Sequence, residues 1–236
     1  MNTKTMFAIS ALCAAVALTT SAVESSVVGY QTVENTAEDA SYIFGASFRG
    51  INETGVVPFN ALSCAGGFTD DDQIQTAYTD SDGITQLRNY YYFGEWLDED
   101  YNSVSDTDGL PQGGAAWFVS SGDCKNVMTS GEVTAGNYIH TFTETSALIT
   151  SAFPGAFCPN SANVSWAVSD DTQIQTAYTD SDGITQLRNY YYFGEWLDED
   201  YNSIDADFSV ADSGMGFWLI LTDASETFSE VSPIVE

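Results

Sequence analysis

An internal repeat constrains this chain more than any other feature of its sequence. Residues 73–103 recur without a single change as residues 173–203, 100 positions later. Two identical segments adopt the same structure only in equivalent surroundings, because tertiary packing overrides local propensity. We therefore expect two copies of one unit of about 100 residues, arranged either as two domains in series or as two pseudo-symmetric halves.

The repeat continues in weaker form on both sides of this block. Residues 114–119 (GAAWFV) correspond to residues 214–219 (GMGFWL), and residues 27–33 to residues 127–133, each at the same offset of 100. The pair Tyr42-Ile43 corresponds to Tyr138-Ile139 at an offset of 96. These matches predict a first unit at residues 23–126 and a second at residues 127–236. Residues 227–231 are a candidate third copy of the 27–33 strand.

Residue usage and periodicity predict an all-β fold. Val, Thr, Tyr, Phe and Trp occur in short runs that Gly, Asn, Asp and Ser interrupt. Within the repeated block, residues 73–79 and 84–93 alternate as strands do, on either side of a turn at residues 80–83. Residues 95–97 and 115–120 provide further strands. We expect two tandem β-sandwich or barrel-like units.

The first 22 residues have the pattern of a secretory signal peptide. Lys4 gives the positive start, residues 6–18 form a short apolar segment, and small residues at 20–22 suit cleavage. The apolar run is too short for a comfortable membrane span. The pattern predicts a secreted or cell-surface protein, and the periplasm fits the same signal.

Charge excludes several classes of partner. The chain has 34 acidic and 5 basic residues, a net charge of −29. So few cations cannot neutralise phosphates, which argues against nucleic acid and against anionic lipid. No later segment is apolar for long enough to span a bilayer. The partners that remain are other copies of this chain, other cell-surface components and polysaccharide.

Three cysteines remain after the leader: Cys64, Cys124 and Cys158. Export favours disulfides, but three thiols always leave one over. We expect one bridge at most, with Cys64–Cys158 the favoured pairing. A metal site is not expected from cysteine and histidine, because no Cys-x-x-Cys is present and His140, aligned with Phe44, is the only histidine.

Four short motifs stand out: the start of the exported chain, VESSVVGY at residues 23–30, the Asp-x-Gln-Ile-Gln strand, the Tyr-rich strand, and GMGFW at residues 214–218. Together they resemble a group of secreted β-repeat proteins from environmental bacteria with no established activity. The resemblance covers nearly the whole exported chain. It implies secretion and β-repeats, and it implies no catalytic residues. The first unit departs from the closing motif, with Ala116 where the second has Gly216.

Aromatic residues of the repeated block form the first candidate binding site. Flat rings stack on sugars, and nearby amides and carboxylates can hold hydroxyl groups. Packing in a β core uses the same residue types. Residues 89–94 are also uncharged, so at a sheet edge they could pair with another chain. The candidate residues are Tyr90, Tyr92 and Trp96, and their copies Tyr190, Tyr192 and Trp196.

Acidic residues in the turn form the second candidate site. Asp80 and Asp82 precede Gly83, and Asp180 and Asp182 precede Gly183. Alternating carboxylates before a glycine resemble part of a calcium loop. A hairpin turn uses the same residues, because Asp and Gly suit its backbone. Ca²⁺ is the one cofactor that the sequence suggests.

Three functions are compatible with these features. The first is a non-enzymatic secreted or cell-surface protein with a structural, adhesive or assembly role. The second is a secreted carbohydrate-binding module that uses the repeated Tyr and Trp residues. The third is an acidic glycoside hydrolase with paired carboxylates. The sequence contains no nucleophile elbow, phosphate loop or zinc motif, which favours the first.

Overall fold

The fold is all-β, as the sequence predicts. The computed structural model describes residues 28–33, 41–122, 124, 126–179, 185–223 and 225–233. The signal-peptide candidate, residues 1–22, lies outside these ranges. Within them, the only helical element is a single 3-10 turn, Phe59–Ala61. No helix in these ranges has the length and apolar character needed to cross a bilayer.

Unit 1 consists of the first ten strands. Its main sheet has five strands in the order β2-β9-β5-β6-β7, beside a three-stranded sheet β1-β10-β4 and a pair β3-β8. The strands are β1 (Val28–Thr32), β2 (Ser41–Gly45), β3 (Val56–Pro58), β4 (Ser63–Cys64), β5 (Gln73–Thr79), β6 (Thr85–Tyr92), β7 (Trp96–Leu97), β8 (Gly109–Pro111), β9 (Ala115–Val119) and β10 (Val127–Glu132).

Unit 2 repeats this arrangement with eight strands. A five-stranded sheet β12-β17-β14-β15-β16 lies beside a three-stranded sheet β11-β18-β13. The strands are β11 (Asn137–Thr141), β12 (Ser146–Thr150), β13 (Val164–Ala167), β14 (Gln173–Thr179), β15 (Thr185–Tyr192), β16 (Trp196–Leu197), β17 (Gly216–Ile220) and β18 (Thr227–Val231). The repeated block therefore forms the same three strands, β5–β7 and β14–β16, in both units.

Three weak matches in the flanking sequence were wrong. Residues 127–133 are not the second copy of residues 27–33: β10 pairs antiparallel with β1, with Gly29 opposite Gly131. Gly29 and Gly131 both lie against Phe48, which explains why β1 and β10 each have a glycine at this point. The true copy of β1 is β11, and β18 is the copy of β10. By pairing, Val127–Glu132 belongs to unit 1, although the sequence boundary assigned it to the second unit.

The second correction concerns register, and the third concerns which strand is the copy of β2. Ile74 lies opposite Phe118, whereas Ile174 lies opposite Leu219, so the closing strands match at an offset of 101, not 100. Trp117 and Trp218 are thereby equivalent. Tyr42-Ile43 lies in β2, whose copy is β12, not the β11 strand that contains Tyr138-Ile139. His140 is accordingly equivalent to Gln31 of β1, not to Phe44.

Each unit buries its own core between its two sheets. Side chains of the five-stranded sheet meet residues of the smaller sheet, and Met215 packs against both cores. Unit 1 buries Tyr42, Phe44, Ile74, Tyr90, Trp96, Phe118 and Val127. Unit 2 buries Phe142, Ile149, Ile174, Tyr190, Trp196, Phe217, Leu219 and Phe228. Each unit is thus a small sandwich with an apolar interior.

The two units pack as pseudo-symmetric halves. The backbone N–H of Gly45 donates to Gly214 O (2.8 Å), and the equivalent N–H of Thr150 donates to Gly113 O (2.9 Å). Between them, the outer faces of the two large sheets bury a small apolar cluster of Ile43, Ala115 and Leu148. These reciprocal contacts are those of a two-fold interface within one chain.

The disulfide joins Cys64 to Cys124, so the pairing Cys64–Cys158 is wrong. Cys64 ends β4 beside Val127, and Cys124 lies just before β10, which brings the two Cα atoms to 5.7 Å. Cys158 lies in unit 2 and is a free thiol, half buried. Burial raises its pKa.

Candidate functional site

The aromatic residues singled out from the sequence point inward. Tyr90 is buried in the core of unit 1, and Trp96 is only 2% exposed. Tyr92 is half buried, with its ring centre 5.4 Å from that of Trp96. The copies Tyr190, Tyr192 and Trp196 occupy the same places in unit 2. Because these rings form the two cores, Trp96 and Trp196 have no free face on which a sugar could stack.

A different set of aromatic rings lies at the surface. We call it the aromatic platform: Tyr91, Phe93 and Tyr101 in unit 1, and Tyr191, Phe193 and Tyr201 in unit 2. Tyr101 is 65% exposed and Tyr201 61%. The rings of Tyr91 and Tyr101 are nearly parallel, with centres 6.2 Å apart, and those of Tyr191 and Tyr201 are 5.4 Å apart. Each unit therefore displays the same open group of three rings.

The acidic loop before Tyr101 holds this ring in place. The Asp98 carboxylate accepts bonds from the backbone N–H groups of Asp100 (2.9 Å) and Asn102 (2.8 Å). The bond from Asn102 is the main reason that the pKa of Asp98 is lowered. Tyr101 itself has a φ of +60°, which bulky residues rarely adopt. The loop is therefore a defined structure whose outermost side chain is an aromatic ring.

The same loop covers the open edge of β6. Strand β7 pairs only with Tyr91 and Tyr92, which would leave the N–H of Asn89 free. Glu99 accepts that N–H (3.0 Å) and also the Asn89 side-chain amide (3.2 Å). A carboxylate at a strand edge prevents another strand from pairing there. Residues 89–92 are therefore already paired or covered within the unit.

A row of polar and aromatic side chains continues from the aromatic platform across the outer face of the sheet. Gln75 lies opposite Asn89 on one side and opposite Trp117 on the other, so all three share this face. The Gln75 amide donates to Asn89 Oδ1 at 2.8 Å, and Gln175 repeats this bond to Asn189. All three side chains of the row are partly exposed. We call this row, together with the aromatic platform, the outer-face surface.

The calcium candidates lie in a hairpin turn. Asp80 Oδ1 accepts the backbone N–H groups of Asp82 (3.0 Å) and Ile84 (2.9 Å), and the bond from Ile84 is the main cause of its lowered pKa. This carboxylate thus shapes the turn itself. The copies Asp180 and Asp182 lie outside the described residues. Within the described ranges, no group of three or more His, Cys, Asp or Glu side chains is placed to hold a metal ion.

Two clefts lie between the units, at equivalent positions. One, of about 340 Å³, combines Arg88 and Tyr78 of unit 1 with His140 and Glu144 of unit 2. The other, of about 330 Å³, combines Arg188, Tyr178 and Tyr190 with residues of unit 1. In both clefts the guanidinium lies over the tyrosine ring, at 4.8 Å for Arg88 and 4.6 Å for Arg188. The Arg and Tyr residues that the repeated block contributes are the same in both clefts, whereas the residues contributed by the opposite unit differ.

Three of the carboxylates that could serve acid–base catalysis have structural partners. In the first cleft, Asp108 accepts from the N–H and hydroxyl of Ser105 (2.8 and 2.7 Å), and Glu144 accepts from the Thr79 hydroxyl (2.5 Å). Burial raises the pKa of Glu230, whose carboxylate accepts from the Ser151 hydroxyl (2.6 Å) and the Ala152 N–H (2.8 Å). Glu144 and Glu230 join separate segments of the chain, and Asp108 closes a local turn.

No protein-family model, curated protein or solved structure matches this chain. The function must therefore be inferred from the chain's own surface. The feature that sequence analysis missed is the aromatic platform of Tyr91, Phe93 and Tyr101. A period of two placed Tyr91 and Phe93 on the opposite face from Tyr90 and Tyr92. That alternation was the available signal, but it did not say which face would be covered.

Proposed function

We propose that this protein is a non-enzymatic, secreted or cell-surface protein with an adhesive or assembly role. The observation that carries the proposal is the presence of two identical outer-face surfaces on one body. Their exposed rings, above all Tyr101 and Tyr201, are the kind of apolar surface that marks binding sites on soluble proteins. Because the two units pack through reciprocal contacts, the protein would present these surfaces as a bivalent pair.

Export of the protein is supported by two features. The leader pattern of residues 1–22 is typical of secretion. The Cys64–Cys124 disulfide fits an oxidising compartment, because cytosolic thiols are kept reduced. We therefore propose a location outside the cytoplasm, with other cell-surface components as partners.

A non-enzymatic role is supported by how the chain uses its titratable groups. Asp108 closes a local turn, whereas Glu144 and Glu230 each accept a hydrogen bond from a distant segment. His140 lies 3.1 Å from the Tyr138 hydroxyl and packs on the ring of Phe142. A general acid or base would need to reach a substrate while its partner orients it. In the first cleft, His140 and Glu144 are already engaged by Tyr138 and Thr79.

Adhesion can be tested with protein purified after export from an expression host. Fluorescently labelled protein is mixed with intact bacterial cells, and the bound fraction is measured by sedimentation. We expect binding that Tyr101→Ala together with Tyr201→Ala abolishes. Tyr30→Ala is the matched control, because Tyr30 is also an exposed ring but lies on β1, away from the aromatic platform. A protein that binds no cell surface and stays monomeric in sedimentation velocity would contradict the proposal.

A further inference from the structure

We propose that the outer-face surface of each unit binds a neutral polysaccharide, with the sugar chain running across the strands from the aromatic platform towards Trp117, or Trp218 in unit 2. This inference rests on the proposed function, since it names the ligand of the same surface. It transfers sugar binding from Tyr90, Tyr92 and Trp96, which form the core, to the opposite face of the same strands.

The rings supply the apolar part of such a site. The faces of pyranose rings carry C–H groups, and flat aromatic side chains offer matching apolar surface. Tyr101 stacks on Tyr91 with one face and remains 65% exposed. Trp117 lies farther along the same sheet face, two strands from Asn89; it is partly exposed and packs with its buried part against the cluster of Ile43, Ala115 and Leu148 between the units. Neighbouring strands are about 4.8 Å apart, so aromatic rings flank a span of roughly 10 Å.

The amides between these rings supply the polar part. Gln75 and Asn89 lie side by side on β5 and β6, joined by one hydrogen bond of 2.8 Å. A carboxamide has two N–H donors and an acceptor oxygen, so that bond uses only part of their capacity. Sugar hydroxyls both donate and accept, which suits amides. Glu99 fixes the Asn89 side chain (3.2 Å) and so orients it before any ligand arrives.

Charge favours a neutral polysaccharide over the alternative ligands. The loops beside the aromatic platform contribute Glu95, Asp98, Glu99 and Asp100, and the protein as a whole carries a net charge of −29. Acidic polysaccharides and anionic membranes would be repelled, and a second copy of this chain would have to overcome the same repulsion. Arg88 lies on the other face of β6, since it directly precedes Asn89 in the strand. A neutral polysaccharide pays no such electrostatic cost.

Two equivalent sites on one body predict a strong dependence on ligand length. A short oligosaccharide fills each site separately, with a stoichiometry of two per chain. A long or insoluble polysaccharide can engage both sites, and such avidity commonly adds a factor of about 10² to 10⁴. Removing the ring of one unit should therefore weaken binding to the polymer far more than binding of the oligosaccharide to the remaining site.

The experiment measures binding of the exported protein to cellulose, chitin, β-1,3-glucan and mannan, with alginate as the acidic comparison. We expect at least one neutral polysaccharide to bind and alginate not to bind. Tyr101→Ala should lower affinity of its site by about tenfold, and Tyr101→Ala with Tyr201→Ala should abolish retention on the polymer. Gln75→Ala with Gln175→Ala should also weaken binding. Tyr30→Ala is the control, and an unchanged Tm shows that each variant is folded.

Two outcomes would overturn the inference. One is the absence of binding to every neutral polysaccharide, and the other is binding that the double tyrosine variant does not change. If labelled protein still adheres to cells through Tyr101 and Tyr201, the adhesive function stands and only its sugar ligand is wrong. If adhesion is also absent, both proposals fail. Self-association that the same variant removes would point instead to a second copy of this chain.

Discussion

Asp72 and Glu226 place a carboxylate at the same point of the two units, although they belong to different segments of the repeat. The Asp72 carboxylate accepts the backbone N–H groups of Thr69 (2.9 Å) and Ser121 (2.7 Å). In unit 2, position 172 is a threonine, and the Glu226 carboxylate accepts the equivalent N–H of Ser169 (2.6 Å). Glu226 is the counterpart of Val127. The Val127 carbonyl accepts the backbone N–H of Val33, just after β1, and the Glu226 carbonyl accepts that of Phe142, just after β11. The carboxylate therefore comes from the residue just before β5 in unit 1 and from the residue just before β18 in unit 2.

Moving the carboxylate of unit 1 from position 72 to position 127 should be partly tolerated. Asp72→Thr alone removes the charged acceptor of two partly buried N–H donors, so we expect it to lower the free energy of unfolding by about 1–3 kcal/mol. Val127→Glu alone buries a carboxylate beside Asp72 and should also destabilise. Combined, the two substitutions reproduce the arrangement of unit 2. Urea unfolding of the double variant should show less loss than the sum of the single losses, and simple additivity would contradict the equivalence.

A second pair of compensating substitutions is available at the interface between the units. Gly45 and Thr150 are equivalent residues that meet at the pseudo-two-fold axis, where a Cβ on Gly45 would overlap the side chain of Thr150. Only one of the two positions can therefore carry a side chain. The Thr150 hydroxyl also donates to Met215 O at 2.8 Å.

We expect Gly45→Thr to destabilise the protein by about 1–3 kcal/mol through overpacking. Thr150→Gly in the same chain should recover most of that loss, because the pseudo-symmetry allows threonine on either side. Thermal unfolding of both singles and the double variant measures the coupling. A double variant that is no more stable than Gly45→Thr alone would contradict the two-fold relationship.

The repeated block shows what the sequence alone could predict. Residues 73–79 form β5 as expected, and the hairpin with β6 follows from alternation and an Asp-Gly turn. The buried face was not predictable, because residues 90–93 are apolar on both faces. It is decided by distant partners: Phe59 packs on Tyr90 (4.7 Å) and Phe68 on Trp96 (5.1 Å). These partners lie outside the repeated block.

The alignment of the flanking strands could not be predicted from the sequence for a related reason. One extra residue before β17 shifts the match from 100 to 101, and in a strand a shift of one residue exchanges the two faces. A constant offset therefore aligned Ala116, which is buried, with Gly216, whereas its counterpart by pairing is Phe217. Short Gly- and Val-rich strands match by composition alone, which is how β10 was mistaken for a copy of β1.

The disulfide should stabilise unit 1 chiefly by restricting the unfolded chain. Cys64 and Cys124 are 60 residues apart, and closing a loop of that length corresponds to about 4 kcal/mol in the chain-entropy model. Cys64→Ala with Cys124→Ala should lower Tm substantially, whereas Cys158→Ser should change it little. Alkylation of the unfolded, unreduced protein followed by peptide mass spectrometry should label only Cys158. Labelling of Cys64 or Cys124 would contradict this pairing.

His140 should make the protein less stable as the pH falls. Burial lowers its pKa below the usual 6.5, with Glu144 acting in the opposite direction. The unfolded chain therefore takes up the proton first, so the stability present above pH 6.5 is lost as the pH falls through the pKa of the folded protein. Glu230 has the opposite sign, because its raised pKa favours the folded state at low pH. Tyr138, whose pKa is raised to about 12, stays neutral throughout.

His140→Gln isolates this contribution, since glutamine is the residue at the equivalent position 31 of unit 1. Glu230 and the other carboxylates are unchanged in the variant, so their contributions cancel in the difference at each pH. We expect the Tm of the natural protein to fall relative to that of the variant between pH 7.5 and about pH 5. Parallel curves over this range would show that His140 titrates alike in the folded and unfolded chains, and would contradict the burial of its ring against Phe142 and Phe228.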